Sequence, residues 1–170
     1  MVWNDLKVLD REPGKFLFGQ WKNVTILAWA GRAGAEDIQR LVRALKGLVG
    51  QYPKGRSTVS VIAEGLPLPT DEARARLADL FSAKSDELAC LAVVVQGSGF
   101  ATSALRSAHT NMRNASSRSY EMAVVGTIEE LGVWLPPRHA ARTGEKLDKK
   151  TLAEVLERAM KWAADSGPLE

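Results

Sequence analysis

The sequence predicts a mixed α/β domain with a five-stranded sheet: an antiparallel hairpin, then parallel strands that alternate with helices, and an added C-terminal helix. Two β-rich segments separated by a short link predict the hairpin. After residue 34, segments with helical periodicity alternate with short apolar segments. Such alternation is typical of parallel strands joined by right-handed crossovers.

The hairpin is predicted over residues 15–30. The preceding segment, DREPG at residues 10–14, is typical of a turn, because Pro and Gly interrupt regular structure. Residues 15–21 then alternate in polarity, and residues 24–30 are rich in β-branched and aromatic side chains. The link between these segments is short enough to favour a hairpin.

Three strand–helix units follow the hairpin. In chain order, the predicted elements are a helix over residues 38–49, a strand over 57–63, a helix from Thr70 to about Leu88, a strand over 91–95, a helix after the QGSGF segment at 96–100, and a strand over 120–125. Apolar residues at helical spacing predict the helices. The strand at 91–95 is continuously apolar, as expected of a strand buried on both faces.

The C-terminal part is predicted to contain two more helices. Thr127 and Glu130 form a capping-box pattern that opens a short helix, and Pro136-Pro137 is expected to end it. We expect a basic linker at residues 138–147 and a last helix with Asp148 as its N-cap. The predicted organisation is therefore an α/β domain at residues 1–137, the linker, and a C-terminal helix and tail at 148–170.

Composition limits the class of protein. The 170 residues fit one domain, and 45% hydrophobic with 25% charged residues is ordinary for a globular chain. A net charge of +3 is too small to predict nucleic acid as the main partner. One cysteine excludes an internal disulfide and favours a reducing, cytoplasmic compartment. The N-terminal segment lacks a signal-peptide pattern, and the longest apolar run is too short to span a membrane.

The element order resembles the STAS-like fold, named for sulfate transporters and anti-sigma-factor antagonists. The resemblance covers roughly residues 10–137 and rests on the hairpin, the segment SVIAEG, and LAVVVQGSGFATSALRS leading to YEMAVVGTIEELGVWL. It implies a non-enzymatic bacterial protein–protein signalling module, with nucleotide binding in some members. The family's phosphorylatable Ser lies where the strand at 57–63 leads into the next helix. Here that segment reads GLPLPTDEA, so Thr70 is its sole hydroxyl.

The first candidate site is an anion-binding turn formed by Gly97, Ser98, Gly99 and Thr102. Backbone N–H groups at a helix N-terminus bind anions, and glycines allow a close approach. The pattern lacks a complete GxGxxG motif and a P-loop lysine. The alternative is an ordinary strand-to-helix turn in which the glycines serve geometry.

The second candidate is a protein-binding helix face formed by Arg106, His109 and Arg113, with Thr102 on the same stripe. No acidic residue lies between Val95 and Tyr120, so an acidic partner, a phosphate group or a second subunit could dock there. The alternative is a solvated outer face without a partner.

Two further candidates involve helix ends. Thr70 is either a phosphorylation site or an ordinary N-cap. The C-terminal helix at 148–165 either binds a partner, including a second copy in a homodimer, or folds back onto its own domain.

Nothing in the sequence selects catalytic residues. It contains no GxSxG nucleophile elbow and no cluster of metal-ligand residues, so neither metal nor cofactor is predicted. Cys90 is expected to be a small buried residue, and His139 falls in the predicted linker. The leading hypothesis is a protein-interaction module. The alternatives are a small-molecule or anion-binding domain, an enzyme with an unrecognised site, and nucleic-acid binding by the linker.

Overall fold

Six strands and five helices form the part of the chain that our computed structural model describes, residues 5–82, 87–115 and 119–169. The strands are β1 (Lys7–Glu12), β2 (Phe16–Trp21), β3 (Val24–Trp29), β4 (Arg56–Ile62), β5 (Leu88–Val95) and β6 (Glu121–Val125). The helices are α1 (Ala35–Lys46), α2 (Asp71–Ser82), α3 (Phe100–Ala115), α4 (Ile128–Thr143) and α5 (Lys149–Ala164).

The strands form one mixed sheet whose spatial order follows the chain, β1-β2-β3-β4-β5-β6. The β1–β2 and β2–β3 pairs are antiparallel, whereas β3, β4, β5 and β6 run parallel to one another. The predicted hairpin is confirmed, with Phe16 opposite Trp29 and Trp21 opposite Val24. The α/β class and the parallel strand–helix units are therefore as the sequence predicts.

The predicted count of five strands is wrong because β1 precedes the hairpin. β1 includes three residues of the segment DREPG that was expected to be a turn, and the turn itself follows at Pro13 and Gly14. β1 is a half-exposed edge strand with little apolar alternation. Its carboxylates instead pair with α1: Arg40 Nη2 lies 2.6 Å from Asp10 and Nη1 lies 2.7 Å from Glu12. A strand held by ion pairs lacks the pattern that predicts strands.

The helices cover the two faces of the sheet in separate groups. α1, α2 and α3 lie on one face, where Ile38, Leu77 and Leu105 pack with Phe18 and Leu27. α4 and α5 lie on the other face, in a second core with Trp21 and Val59. Three right-handed crossovers that all advance in one direction must place their helices on one face. α4 follows the last strand and is free to turn to the other side.

Pro136-Pro137 does not end α4, and this corrects the predicted linker at 138–147. The helix continues to Thr143 and ends at Gly144, whose left-handed φ of 77° closes it. The two prolines cannot donate hydrogen bonds to the preceding turn. Contacts of the following turn offset this loss: His139 is fully buried, and Thr143 Oγ1 donates to the His139 carbonyl at 2.8 Å.

α5 packs on its own sheet, as one of the two alternatives for the C-terminal helix predicts. The N-cap prediction is confirmed, since the Asp148 carboxylate accepts from Thr151 N at 2.8 Å. The apolar face of the helix lies against β2 and β3, with Leu156 and Ala159 fully buried. Gly14 N donates to Ala163 O at 2.8 Å, which joins the first turn to the end of α5. The helix therefore completes the core.

Leu156→Ala should lower the free energy of unfolding by about 2–5 kcal/mol, because it removes a buried side chain from this core. Glu157→Ala is the matched control on the exposed side of the same helix and should change it by less than about 0.5 kcal/mol. Urea unfolding followed by circular dichroism measures both values. Equal effects would show that α5 does not pack as described.

Candidate functional site

A groove runs between α2 and α3 on the outer side of the first helix layer. It arises because α2 packs mainly against α1 and does not close onto α3. The groove has a volume of about 530 Å³. Its walls are mostly small or apolar side chains, contributed by Leu68, Pro69, Ala75, Leu77, Ala78 and Ala108, with His109 at its floor and Asn111 at its rim.

The loop at residues 63–70 positions α2 at the rim of the groove. Thr70 N donates to Ala33 O at 3.1 Å, and Arg32 Nε donates to Leu68 O at 2.7 Å. The Thr70 hydroxyl accepts from Ala73 N at 3.2 Å, which confirms that Thr70 is the N-cap of α2. Its phosphorylation stays a prediction, and the modification would place a charge directly at the groove.

The expected outward stripe on α3 is wrong for Thr102 and His109, whose exposures are 1% and 8%. With Leu105, they form the buried side of the helix. The interior accepts these polar side chains because the backbone of the same segment pairs with them. His109 Nδ1 lies 2.9 Å from Leu105 O, and Thr102 Oγ1 lies 3.5 Å from Gln96 O. The small apolar residues of α3 predict a different buried face of the helix, with Thr102 and His109 outside it.

Arg106 also turns away from the groove. Its Nη2 donates to Val95 O at 2.9 Å and to Gly97 O at 3.0 Å, and its buried Nε has no partner among the described residues. The guanidinium passes over Gly126, where a Cβ would lie 2.9 Å from Nη2. Arg113 lies half-buried about two turns further along α3. His109 is therefore not part of an outward docking face, and Arg106 binds backbone carbonyls at the sheet edge, whereas a docking role for Arg106 and Arg113 stays a prediction.

Arg106 lies at the carboxyl ends of β5 and β6, where the helices that follow the two strands go to opposite faces of the sheet. After β5 the chain enters α3 on one face, and after β6 it enters α4 on the other. In open α/β sheets, such a divergence at the carboxyl ends of strands is a common ligand position. Gly97 and Gly99 form the turn here, with left-handed φ angles of 89° and 105°.

The backbone of the predicted anion-binding turn is arranged as expected at the start of α3, but the Thr102 hydroxyl does not face the turn. α3 carries no acidic residue in its first turn, and its first carbonyl bond runs from Ser103 N to Gly99 O at 3.0 Å. Ser98 is exposed, whereas the buried Thr102 hydroxyl faces the Gln96 carbonyl. Glu64 also covers the turn, because a Cβ on Gly97 would lie 2.3 Å from Glu64 Cγ. An anion would meet this carboxylate as well as the helix end.

A buried Ser–His–Asn cluster lies on the opposite face, and no motif in the sequence predicts it. Ser57 Oγ donates to His139 Nδ1 at 2.6 Å, and His139 Nε2 donates to Asn23 Oδ1 at 2.9 Å. Asn23 Nδ2 donates to Gly55 O at 3.1 Å, which sets the amide orientation. The sequence does not predict a buried His139, because Pro136-Pro137 predicts that the helix ends before this residue.

This cluster fastens α4 to the sheet. Ser57 and His139 are fully buried, so no substrate reaches them in this state. Burial lowers the pKa of His139 to about 4, which keeps the ring neutral and suited to its two bonds. Cys90 lies beside Ser57, and burial raises the pKa of its thiol. Cys90 is thus the buried residue that the sequence predicts.

Comparisons with protein-family models, curated proteins and solved structures find no match to this chain. In the described ranges, no helix is long and apolar enough to cross a membrane. The same residues contain no group of three or more His, Cys, Asp or Glu side chains placed to hold a metal ion.

Acid should destabilise the protein through His139. The unfolded chain binds this proton with a pKa near 6.5 and the folded chain with one near 4, so the unfolded state takes up more protons in between. The free energy of unfolding should fall by about 3 kcal/mol from this group as the pH drops from about 7 to 4.

His139→Leu should be less stable than the unmodified chain at pH 7 and should lose this part of the pH dependence, so that the difference between the two shrinks as the pH falls. Burial also lowers the pKa of His109, which accounts for a residual slope of the same sign. Urea unfolding at pH 7, 5.5 and 4 measures the slopes. An unchanged slope in the variant would contradict the assignment.

Proposed function

We propose that this chain is a non-enzymatic, STAS-like interaction module that binds a protein partner in the groove between α2 and α3. The observation that carries the proposal is the groove itself, an open channel walled by short and apolar side chains. The element order at residues 10–137 supports the family resemblance, to which β1 adds an edge strand. The family's regulatory position corresponds to the Thr70 segment, which forms the rim of this groove.

The walls indicate what the partner offers. Ala75, Ala78 and Ala108 leave depth that a large apolar side chain fills, and such anchors dominate the energy of protein interfaces. At the rim, Asp71 pairs with Arg74, so these two charges are already compensated. The partner should therefore dock mainly through apolar contacts. The buried Cys90 thiol supports the expected cytoplasmic setting.

In-cell photo-crosslinking should trap a defined partner from the groove. A photoreactive residue at the exposed rim position Asn111 should yield a discrete adduct, and the same residue at Glu154 on α5 should not. Ala108→Arg should remove the adduct by filling the groove. Ser107→Arg, its exposed neighbour on α3, should retain it.

Two results would contradict the proposal. Adducts that survive Ala108→Arg as well as Ser107→Arg would place the contact outside the groove. Identical adducts from Asn111 and Glu154 would show unspecific crosslinking. Thermal unfolding of both arginine variants establishes that each is folded.

A second candidate function is anion binding at the Gly97–Gly99 turn. Among the described residues, no carboxylate lies within ion-pair distance of the Arg106 guanidinium, which adjoins the start of α3. A helix N-terminus next to an arginine attracts phosphate groups. The domain would then recognise a small phosphorylated molecule instead of, or together with, a protein.

Two charge-neutralising variants should act in opposite directions on this site. Arg106→Gln should weaken ATP or inorganic phosphate binding about tenfold, the loss expected for one charge-assisted hydrogen bond. Glu64→Gln should strengthen it, because it removes the negative charge over Gly97. Calorimetric titration at low salt measures both. No detectable binding by the unmodified chain at millimolar ligand, or equal effects of the two variants, would exclude the site.

A further inference from the structure

We propose that a cavity beneath α2, lined by Ser60 and His109, binds a small uncharged molecule that carries a hydroxyl or N–H group. The cavity lies between the sheet and the first helix layer. Its floor includes Leu27, Trp29 and Val93, and its roof includes Leu77 and Phe81. This site is separate from the Gly97 turn, and the proposal does not rest on the function proposed for the groove, although the cavity and the groove share lining residues.

Two polar side chains enter this largely apolar space from different elements. Ser60 projects from β4 and is 6% exposed, and His109 projects from α3 and is 8% exposed. Within the described part of the chain, neither the Ser60 hydroxyl nor His109 Nε2 has a hydrogen-bond partner. Buried polar groups are nearly always paired, and leaving them unpaired is costly. A bound molecule or water must therefore meet them.

The protonation of His109 determines what it recognises. Its Nδ1–H donates to Leu105 O, so Nε2 carries a lone pair and can only accept while the ring is neutral. Burial lowers the pKa of His109 and maintains that state at neutral pH. The ligand must then donate a hydrogen bond to Nε2, whereas the Ser60 hydroxyl can donate or accept.

The walls select an uncharged and compact ligand. Trp29 and Phe81 offer aromatic surface to an apolar body. Transferring a charge into such surroundings is strongly unfavourable without a counter-ion. Arg32, the charged side chain of the lining, is exposed and binds the Leu68 carbonyl. A phenol-like molecule combines the required hydroxyl with an apolar ring.

Entry requires the loop at 63–70 to move. In the present state, the free volume is about 30 Å³, which suffices for a water molecule but not for an aromatic ring. The loop closes the space through the bonds from Arg32 Nε to Leu68 O and from Thr70 N to Ala33 O. Pro69, Leu77 and His109 line both this cavity and the groove, so a ligand that lifts the loop also changes the groove.

A titration followed by NMR tests the site with phenol and, as a probe without a donor, benzene. We expect phenol to shift the side-chain resonances of Trp29, Leu105 and Val93, and to bind about a hundredfold more tightly than benzene, because it makes one hydrogen bond to each of the two buried groups, at about tenfold per bond. Ser60→Ala should weaken phenol about tenfold and leave benzene unchanged. Ser103→Ala, on the exposed side of α3, should change neither.

His109→Phe fills the cavity and should abolish binding of both probes, with thermal unfolding as the check of its fold. Should that variant fail to fold, Ser60→Ala still decides the question, because it removes only one hydroxyl group and leaves the packing of the cavity unchanged. Absence of shifts up to the solubility of phenol would show that the cavity holds water only. Equal affinity for phenol and benzene, or for unmodified chain and Ser60→Ala, would also overturn the proposal.

Discussion

The direction of the three crossovers is the constraint on which the rest of this structure depends. Because β3, β4, β5 and β6 follow one another in space, α1, α2 and α3 must all cover the same face. The other face is left to α4 and α5, which close the second core after the last strand. The C-terminal helix is therefore part of the fold, and without it Trp21 and its neighbours would face water.

The same constraint explains where unusual polar groups lie. α4 continues through two prolines of its own, and His139 binds the helix to Ser57 of β4 and to Asn23. On the first face, α2 leans on α1 and leaves space both outside and beneath it. The groove and the cavity are two sides of this one packing feature.

The two histidines show how similar burial produces different roles. Burial lowers the pKa of both, so both rings are neutral. Both nitrogens of His139 are bound to side chains, and the ring acts as a fastener. His109 has one nitrogen bound to its own helix and the other directed at no described group. Only His109 can therefore bind a ligand, because a ligand that donates a hydrogen bond would satisfy its unpaired, buried Nε2.

Local patterns in the sequence determined the elements whose causes are local. The hairpin, the alternation of strands and helices, and the caps at Thr70 and Asp148 each depend on residues within a few positions of one another. Tertiary contacts decided the rest. β1 pairs with β2 while Arg40 of α1 binds its carboxylates, and α4 continues past its prolines to His139, which is bound by Ser57 of the sheet.

The sequence by itself determined the mixed α/β fold, through periodicity and turn chemistry. Only the tertiary structure decided which face of α3 is buried, that Arg106 points to the sheet edge, and that Ser60 and His109 share a cavity. These placements depend on packing between elements distant in the chain, which no local pattern records.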